Sequence, residues 1–130
     1  MGMFTEEIEL SNAGDEEMAL RGIANPDDVR REVVRAIVDS GATMLVIPEV
    51  LARRLGLTTR DRKLIGIADG SVIDCDVVGL VKVRFGDRFS IGMAIAVPGQ
   101  AQILLGAVQM EEMDLLIDPR SQRLVPNPQS

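Results

Sequence analysis

From Leu64 to Val97 the chain reads LIGIADGSVIDCDVVGLVKVRFGDRFSIGMAIAV, a run of aliphatic and β-branched residues broken at Asp69-Gly70 and again at Gly86-Asp87. Asp-Gly and Gly-Asp steps supply the positive φ of tight hairpin turns, and β-branched residues suit the pleated segments between them. Two hairpins are therefore predicted, one turning at Asp69-Gly70 and one at Gly86-Asp87, ending where Pro98-Gly99 breaks the pattern. Phe4, Phe85 and Phe89 are the only aromatics. The core must be built from Val, Ile, Leu and Met, which again favours sheet.

The flanking segments fit the same class. Phe4–Leu10 alternates as a first strand closed by Ser11-Asn12, and residues 13–28, with Gly14, Gly22, Pro26 and clustered acids, read as an exposed connection. Val33–Val38 is a strand that delivers Asp39 at its end, and Met44–Ile47 is a short one. PEVLARRLGL reads as a helix with Pro48 in the first helical position, Val50, Leu51 and Leu55 on one face, and Gly56 as its stop. Ile103–Gly106 is a short apolar strand ending on glycine, and AVQMEEM forms one or two helical turns. Leu115–Ile117 is another strand, turning at Asp118–Ser121 into Arg123–Val125. About nine short strands and one clear helix imply a single all-β domain over residues 1–130, closed or sandwiched, with its core at 5–125 and a frayed tail at 126–130. Met93, Met110 and Met113 read as core filler.

Twenty acidic against fourteen basic residues give a net charge of −6, which opposes binding to nucleic acid or to an anionic membrane. The chain has no histidine, so no Ser-His-Asp triad, Cys-His pair or imidazole metal ligand can be assembled from it. Acid–base chemistry is left to carboxylates. The single Cys75 makes no internal disulfide and reads as inert. No cofactor motif or metal-ligand set is read, and Glu111–Asp114 is taken as solvated helix charge. No apolar stretch approaches a membrane span and the acidic N-terminal stretch does not resemble a signal peptide, so a cytoplasmic location is expected.

Within this frame Asp39 is the anomaly: a carboxylate at the end of an apolar run, followed by Ser40, Gly41 and Ala42 before the chain turns apolar again. By itself, Asp-Ser-Gly after a strand reads as a turn in which Asp or Ser bonds its own backbone. Here apolar segments flank the loop on both sides, Gly41 and Ala42 allow close approach of backbone amides, and an apolar-apolar-Gly element, Leu104-Leu105-Gly106, follows downstream.

On these residues the chain resembles the retropepsin-like aspartic proteases of clan AA, more closely their small bacterial aspartyl-protease-like members, over about Thr5–Val125. The resemblance implies a retropepsin-like closed β-barrel, the acid-protease half-lobe, with one short helix, a flap hairpin and a two-fold homodimer. It implies that Asp39 is catalytic, in an active-site loop with Ser40, Gly41 and Ala42. Ser40 would bridge to the partner loop through its hydroxyl, and Gly41 would leave room for the paired carboxylates. The flap would span Ile65–Ile73, with Ala68, Asp69, Gly70 and Ser71 at its tip, and Leu104, Leu105 and Gly106 would pack beneath the loop. The implied activity is that of an aspartic endopeptidase acting on peptides or proteins without a cofactor.

The chemistry needs two carboxylates, one to take a proton from water and one, protonated, to polarise the scissile carbonyl. The chain supplies one such loop, and Asp118 is followed by Pro119, which has no N–H for a similar cradle. A homodimer is the economical solution. Two departures stand out: the flap lacks an aromatic, and Ala107-Val108 follow the glycine where retroviral relatives carry an Arg that helps lock the dimer. Two other readings remain: a catalytically idle module of this fold used for dimerisation or peptide binding, and an unrelated small β-barrel binding module, which predicts a monomer with Asp39 exposed.

Overall fold

The computed structural model describes residues 3–67 and 69–129. The elements run β1 (Phe4–Asn12), α1 (Ala13–Leu20), a 3-10 turn (Pro26–Asp28), β2 (Arg31–Val38), β3 (Leu45–Pro48), α2 (Glu49–Arg54), β4 (Thr58–Gly66) and β5 (Val72–Phe85). They continue with β6 (Arg88–Val97), β7 (Leu104–Leu105), α3 (Ala107–Glu112), β8 (Leu115–Asp118) and β9 (Arg123–Pro126). Strand dominates, as the aliphatic, turn-punctuated sequence predicts.

Seven strands form one sheet in the order β1-β2-β7-β3-β6-β5-β4. An additional β1–β5 pairing, Glu9 opposite Arg84 through Asn12 opposite Val81, returns the sheet on itself as a ring with β4 outside it. A ring hides the strand edges that an open sheet would expose. Alternation sets the inside: along β1, Glu6, Ile8 and Leu10 are buried while Thr5 and Glu7 are exposed. Ile8, Leu10, Leu45, Ile47, Val81, Val83 and Leu105 fill the core, joined by Leu51 and Leu55 around α2 and by Met110 and Met113 around α3. Each such aliphatic contributes about 1.5–3 kcal/mol on burial.

Both hairpins form. The β5–β6 turn is the two residues Gly86-Asp87, with Gly86 at φ +61°. The β4–β5 connection is longer than a two-residue turn. Gly66 pairs with Val72, Gly70 N–H donates to Ile67 O at 3.0 Å, and Ile67 N–H donates to Ser71 O at 2.9 Å. Among the described residues of this turn Gly70 alone has a positive φ, +87°; Asp69 does not, so this is a turn closed by a left-handed glycine and not the type I′ form.

Five expectations need correction. Residues 13–20 are a helix, α1, and not part of an exposed connection. Asn12 caps it, its Oδ1 accepting Asp15 N–H at 2.9 Å, and Gly22 at φ +74° ends it, its amide bonding Ala19 O while Ile23 N–H reaches Met18 O. With only Ala13 buried, this helix carries almost no apolar stripe, which is why periodicity missed it. Its capping Asn, its Asp15 and Glu16 in the first turn and its Gly stop were the available signals. Pro48 is the N-cap of α2 instead of its first residue, and Val50 is exposed while Leu51 and Leu55 are buried. Met93 is exposed. In the segment expected to fray, Pro126 pairs with Leu115 and Asn127 N–H donates to Asp114 O at 2.9 Å.

Candidate active site

Strand β2 runs parallel to β7, Ile37 opposite Leu104 and Val38 opposite Leu105, and this short ladder carries the chain to Asp39. Ile37 N–H donates to Ile103 O at 2.7 Å and Asp39 N–H to Leu105 O at 3.0 Å, so the backbone of the aspartate is itself part of the sheet. The chain then turns, with Ala42 N–H donating to Asp39 O at 3.1 Å and Gly41 N–H to the carboxylate Oδ1 at 2.9 Å. A Cβ at position 41 would lie 3.2 Å from that oxygen. Oδ2 accepts no hydrogen bond among the described residues. A carboxylate with one oxygen held by an amide and the other open is arranged to bond a water or a second carboxyl group.

The far side of the loop rests on Gly106. Ala107 N–H donates to Ala42 O at 2.8 Å and Val108 N–H to Thr43 O at 3.1 Å, drawing the start of α3 against the loop. A Cβ on Gly106 would stand 2.8 Å from the carbonyl oxygens of Ala42, Thr43 and Met44 alike. The structure thus brings Asp39-Ser40-Gly41-Ala42 and Leu104-Leu105-Gly106 into direct contact through the backbone, 60 or more residues apart in sequence.

Asp39 is half-buried in the single chain, and Ser40 and Gly41 are exposed. Val38, Asp39, Ser40 and Gly41 form one side of a cavity of about 300 Å³. Met3 and Phe4 at the start of β1, and Ile117, Pro119 and Gln122 at the β8–β9 turn, complete it. The cavity joins one carboxylate to largely aliphatic walls, as ligand sites commonly do. The walls beyond the loop were not among the residues singled out by sequence. Asp118 does not line the cavity. Its Oδ1 accepts Arg120 N–H at 3.0 Å, and the Ser121 hydroxyl, then the Arg120 amide, hold its carboxyl below the usual range.

The expected flap tip is braced locally. Asp69 Oδ1 accepts Ser71 N–H at 2.8 Å and the Ser71 hydroxyl at 2.6 Å, and the hydroxyl, then the amide, lower the Asp69 pKa. Ala68 lies outside the described residues. None of Asp69, Gly70 and Ser71 lines the cavity beside Asp39. Leu64, Ile67 and Val72 on this hairpin are exposed. Cys75 at its base is buried, and burial, followed by Asp74 and Asp76, pushes its thiol pKa up, away from reactive thiolate.

Residues 27–108 match the family model described as aspartyl protease. That span covers well over half of the chain and contains the Asp39 loop, the β4–β5 hairpin and Leu104-Leu105-Gly106. The chain belongs to the aspartyl protease family. Comparison with curated proteins gives no match. Membership of the aspartyl protease family carries a protease-type function at the level of the family, with peptides as the substrate class. The mostly β architecture agrees with it. No helix among the described residues is long and apolar enough to cross a membrane.

Proposed function

We propose that this aspartyl protease family member is a homodimeric endopeptidase that hydrolyses peptide bonds with a water activated by two Asp39 carboxylates, one from each subunit. The observation that supports it is the state of Asp39. Its backbone is fixed in the sheet by Leu105, one carboxylate oxygen is held by the Gly41 amide, the other is unbonded, and the group borders a cavity. One carboxylate can act as base or as acid in a given step, but hydrolysis needs both roles at once. Two carboxyl groups about 3 Å apart cannot both ionise, so a pair shares one proton and supplies both.

In this mechanism the ionised partner takes a proton from water as the water attacks the scissile carbonyl. The protonated partner donates to the carbonyl oxygen, giving a tetrahedral diol; as its C–N bond breaks, the proton taken from water passes to the leaving amine and a diol proton returns to the second carboxylate. The Ser40 hydroxyl bridges the two loops across the axis, and the β4–β5 hairpin, with Asp69, Gly70 and Ser71 near its tip, closes over an extended peptide. The exposed aliphatics Leu64, Ile67 and Val72 stand in for the missing flap aromatic as apolar contacts for substrate.

Asp39→Asn is nearly isosteric and cannot share the proton, so it is expected to abolish peptide cleavage while the dimer persists. With free exchange and equal affinity, equal amounts of wild-type and variant chains leave about a quarter of dimers with two aspartates. Activity should fall to that fraction, measured by peptide cleavage over a mixing series with sedimentation alongside. Activity that tracks the wild-type fraction linearly, or an active monomer, would rule out the shared pair.

A further inference from the structure

We propose that Glu6 is a positioning residue that holds the β8–β9 wall of the Asp39 cavity in place. Glu6 is the one buried carboxylate among the described residues, 6 % exposed. A charged group is kept in such surroundings only with strong partners. Its Oε2 accepts Leu124 N–H at 2.7 Å and Arg123 Nε at 3.2 Å. Arg123 is mostly exposed, so the buried amide bond is the firmer of the two.

The topology explains why this carboxylate matters. Strands β8 and β9 form a two-stranded sheet of their own, without a backbone ladder to the seven-stranded sheet. Side chains hold the hairpin instead. At its base Arg88 Nη1 donates to Met113 O and Asp114 O at 3.0 and 3.1 Å. Near its turn the tie is Glu6, because Leu124 pairs with Ile117 and Arg123 with Asp118, and Pro119 and Gln122 lie in the connection between them. Phe4, two residues before Glu6 and on the same face of β1, supplies part of the cavity wall. One short segment of β1 therefore both lines the cavity and clamps the opposite wall, and the Glu6 carboxylate sets the spacing between them. Glu6, Arg123 and Leu124 all lie outside the span that matches the family model.

Asp39 is anchored separately, through Leu105 O and the Gly41 amide, so loosening the hairpin should alter the fit of substrate and leave the reacting group in place. The kinetic part of this inference rests on the peptidase reading. The test compares wild type, Glu6→Ala and Glu6→Gln in the full chain by amide hydrogen exchange and by steady-state peptide cleavage. Glu6→Ala is expected to speed exchange at least about tenfold at Leu124 and across β8–β9, with Asp39 and Ala42 amides unchanged. KM should rise about tenfold with kcat held within about twofold. Glu6→Gln keeps an acceptor for Leu124 N–H and should restore KM to within about threefold of wild type. Unchanged exchange in β8–β9, acceleration spread equally through β2 and β7, or loss confined to kcat would each overturn the proposal. If wild type cleaves no peptide, the peptidase reading fails by itself. The exchange pattern then decides alone: acceleration confined to β8–β9 supports the clamp, and any other pattern removes it.

Discussion

Replacing Gly106 by alanine tests the architecture of the site with a single methyl group. Gly106 has φ −95° and ψ 177°, which any residue adopts, so the substitution introduces no backbone strain. The added carbon would lie 2.8 Å from the carbonyl oxygens of Ala42, Thr43 and Met44, whereas carbon–oxygen contacts are comfortable at about 3.3–3.6 Å. All three obstacles are backbone, so relief requires the loop and β7 to separate by about half an ångström or more. Overpacking of this kind costs about 1–3 kcal/mol. Weakening the bonds from Ala107 N–H to Ala42 O and Val108 N–H to Thr43 O adds about 0.5–1.5 kcal/mol each, for a total of about 2–6 kcal/mol. A loss near the middle of that range lowers Tm by roughly 15 °C in a domain of this size. Urea unfolding should show a lower midpoint at unchanged m-value. Peptide turnover should fall further than stability at temperatures where the variant is folded, by about 100-fold, because Asp39 sits at the head of the displaced loop. A Gly106→Ala protein within about 0.5 kcal/mol of wild type and fully active would show that the loop does not rest on this glycine and would refute the reasoning.

Asn12→Ala removes the α1 cap together with two side-chain bonds, to Leu55 O at 2.8 Å and Gly56 O at 3.2 Å, and should cost about 2–3 kcal/mol in urea unfolding. A loss below about 0.5 kcal/mol would mean that water replaces it freely. Gly70→Val meets no atoms within 4 Å but must adopt φ +87°, at a cost of about 1–2 kcal/mol. It is expected to reduce peptide turnover more than global stability, and equal losses would make the hairpin core structure and not a flap. Asp15 accepts two bonds from the Arg30 side chain and one from its amide, and the side-chain bond, foremost, holds the Asp15 pKa below 3.8. A depressed folded-state pKa contributes stability above the unfolded value and loses it as pH falls through the folded one. The stability gap between wild type and Asp15→Asn, about 0.2–1 kcal/mol at neutral pH, should therefore close below pH 3.8, and a gap that persisted there would assign it to shape instead of charge.

Much of the chain was legible because its signals are local. Turn glycines at 70 and 86, the alternating strands between them and the Gly56 stop each rest on the φ preference of one residue or on a period of two, and these survive any tertiary arrangement. The Asp39 loop and Leu104-Leu105-Gly106 were legible as motifs for the same reason. Helix α1 was missed because its stability comes from capping and from Lys82 of β5 bonding Glu16 at 3.0 Å, and an apolar stripe contributes little. Pro126 and Asn127 read as a polar, proline-containing tail because the partners that order them, Leu115 and Asp114, are set by a hairpin register that composition does not encode.

By itself the sequence determined the strand-rich class and the hairpin positions, and, with no histidine in the chain, it left acid–base chemistry to carboxylates. Tertiary structure alone decided that Gly106 meets three carbonyls of the Asp39 loop, that β1 closes the ring onto β5, and that Met3, Phe4 and the β8–β9 turn enclose the space beside the aspartate. It also decided the fate of Glu6, whose inward place among Ile8 and Leu10 is visible in the alternation but whose partners on β9 are not. The reason is range: a turn or a strand is written in a few adjacent residues, whereas a packed site depends on distances between segments up to 118 positions apart, which only the folded chain brings together.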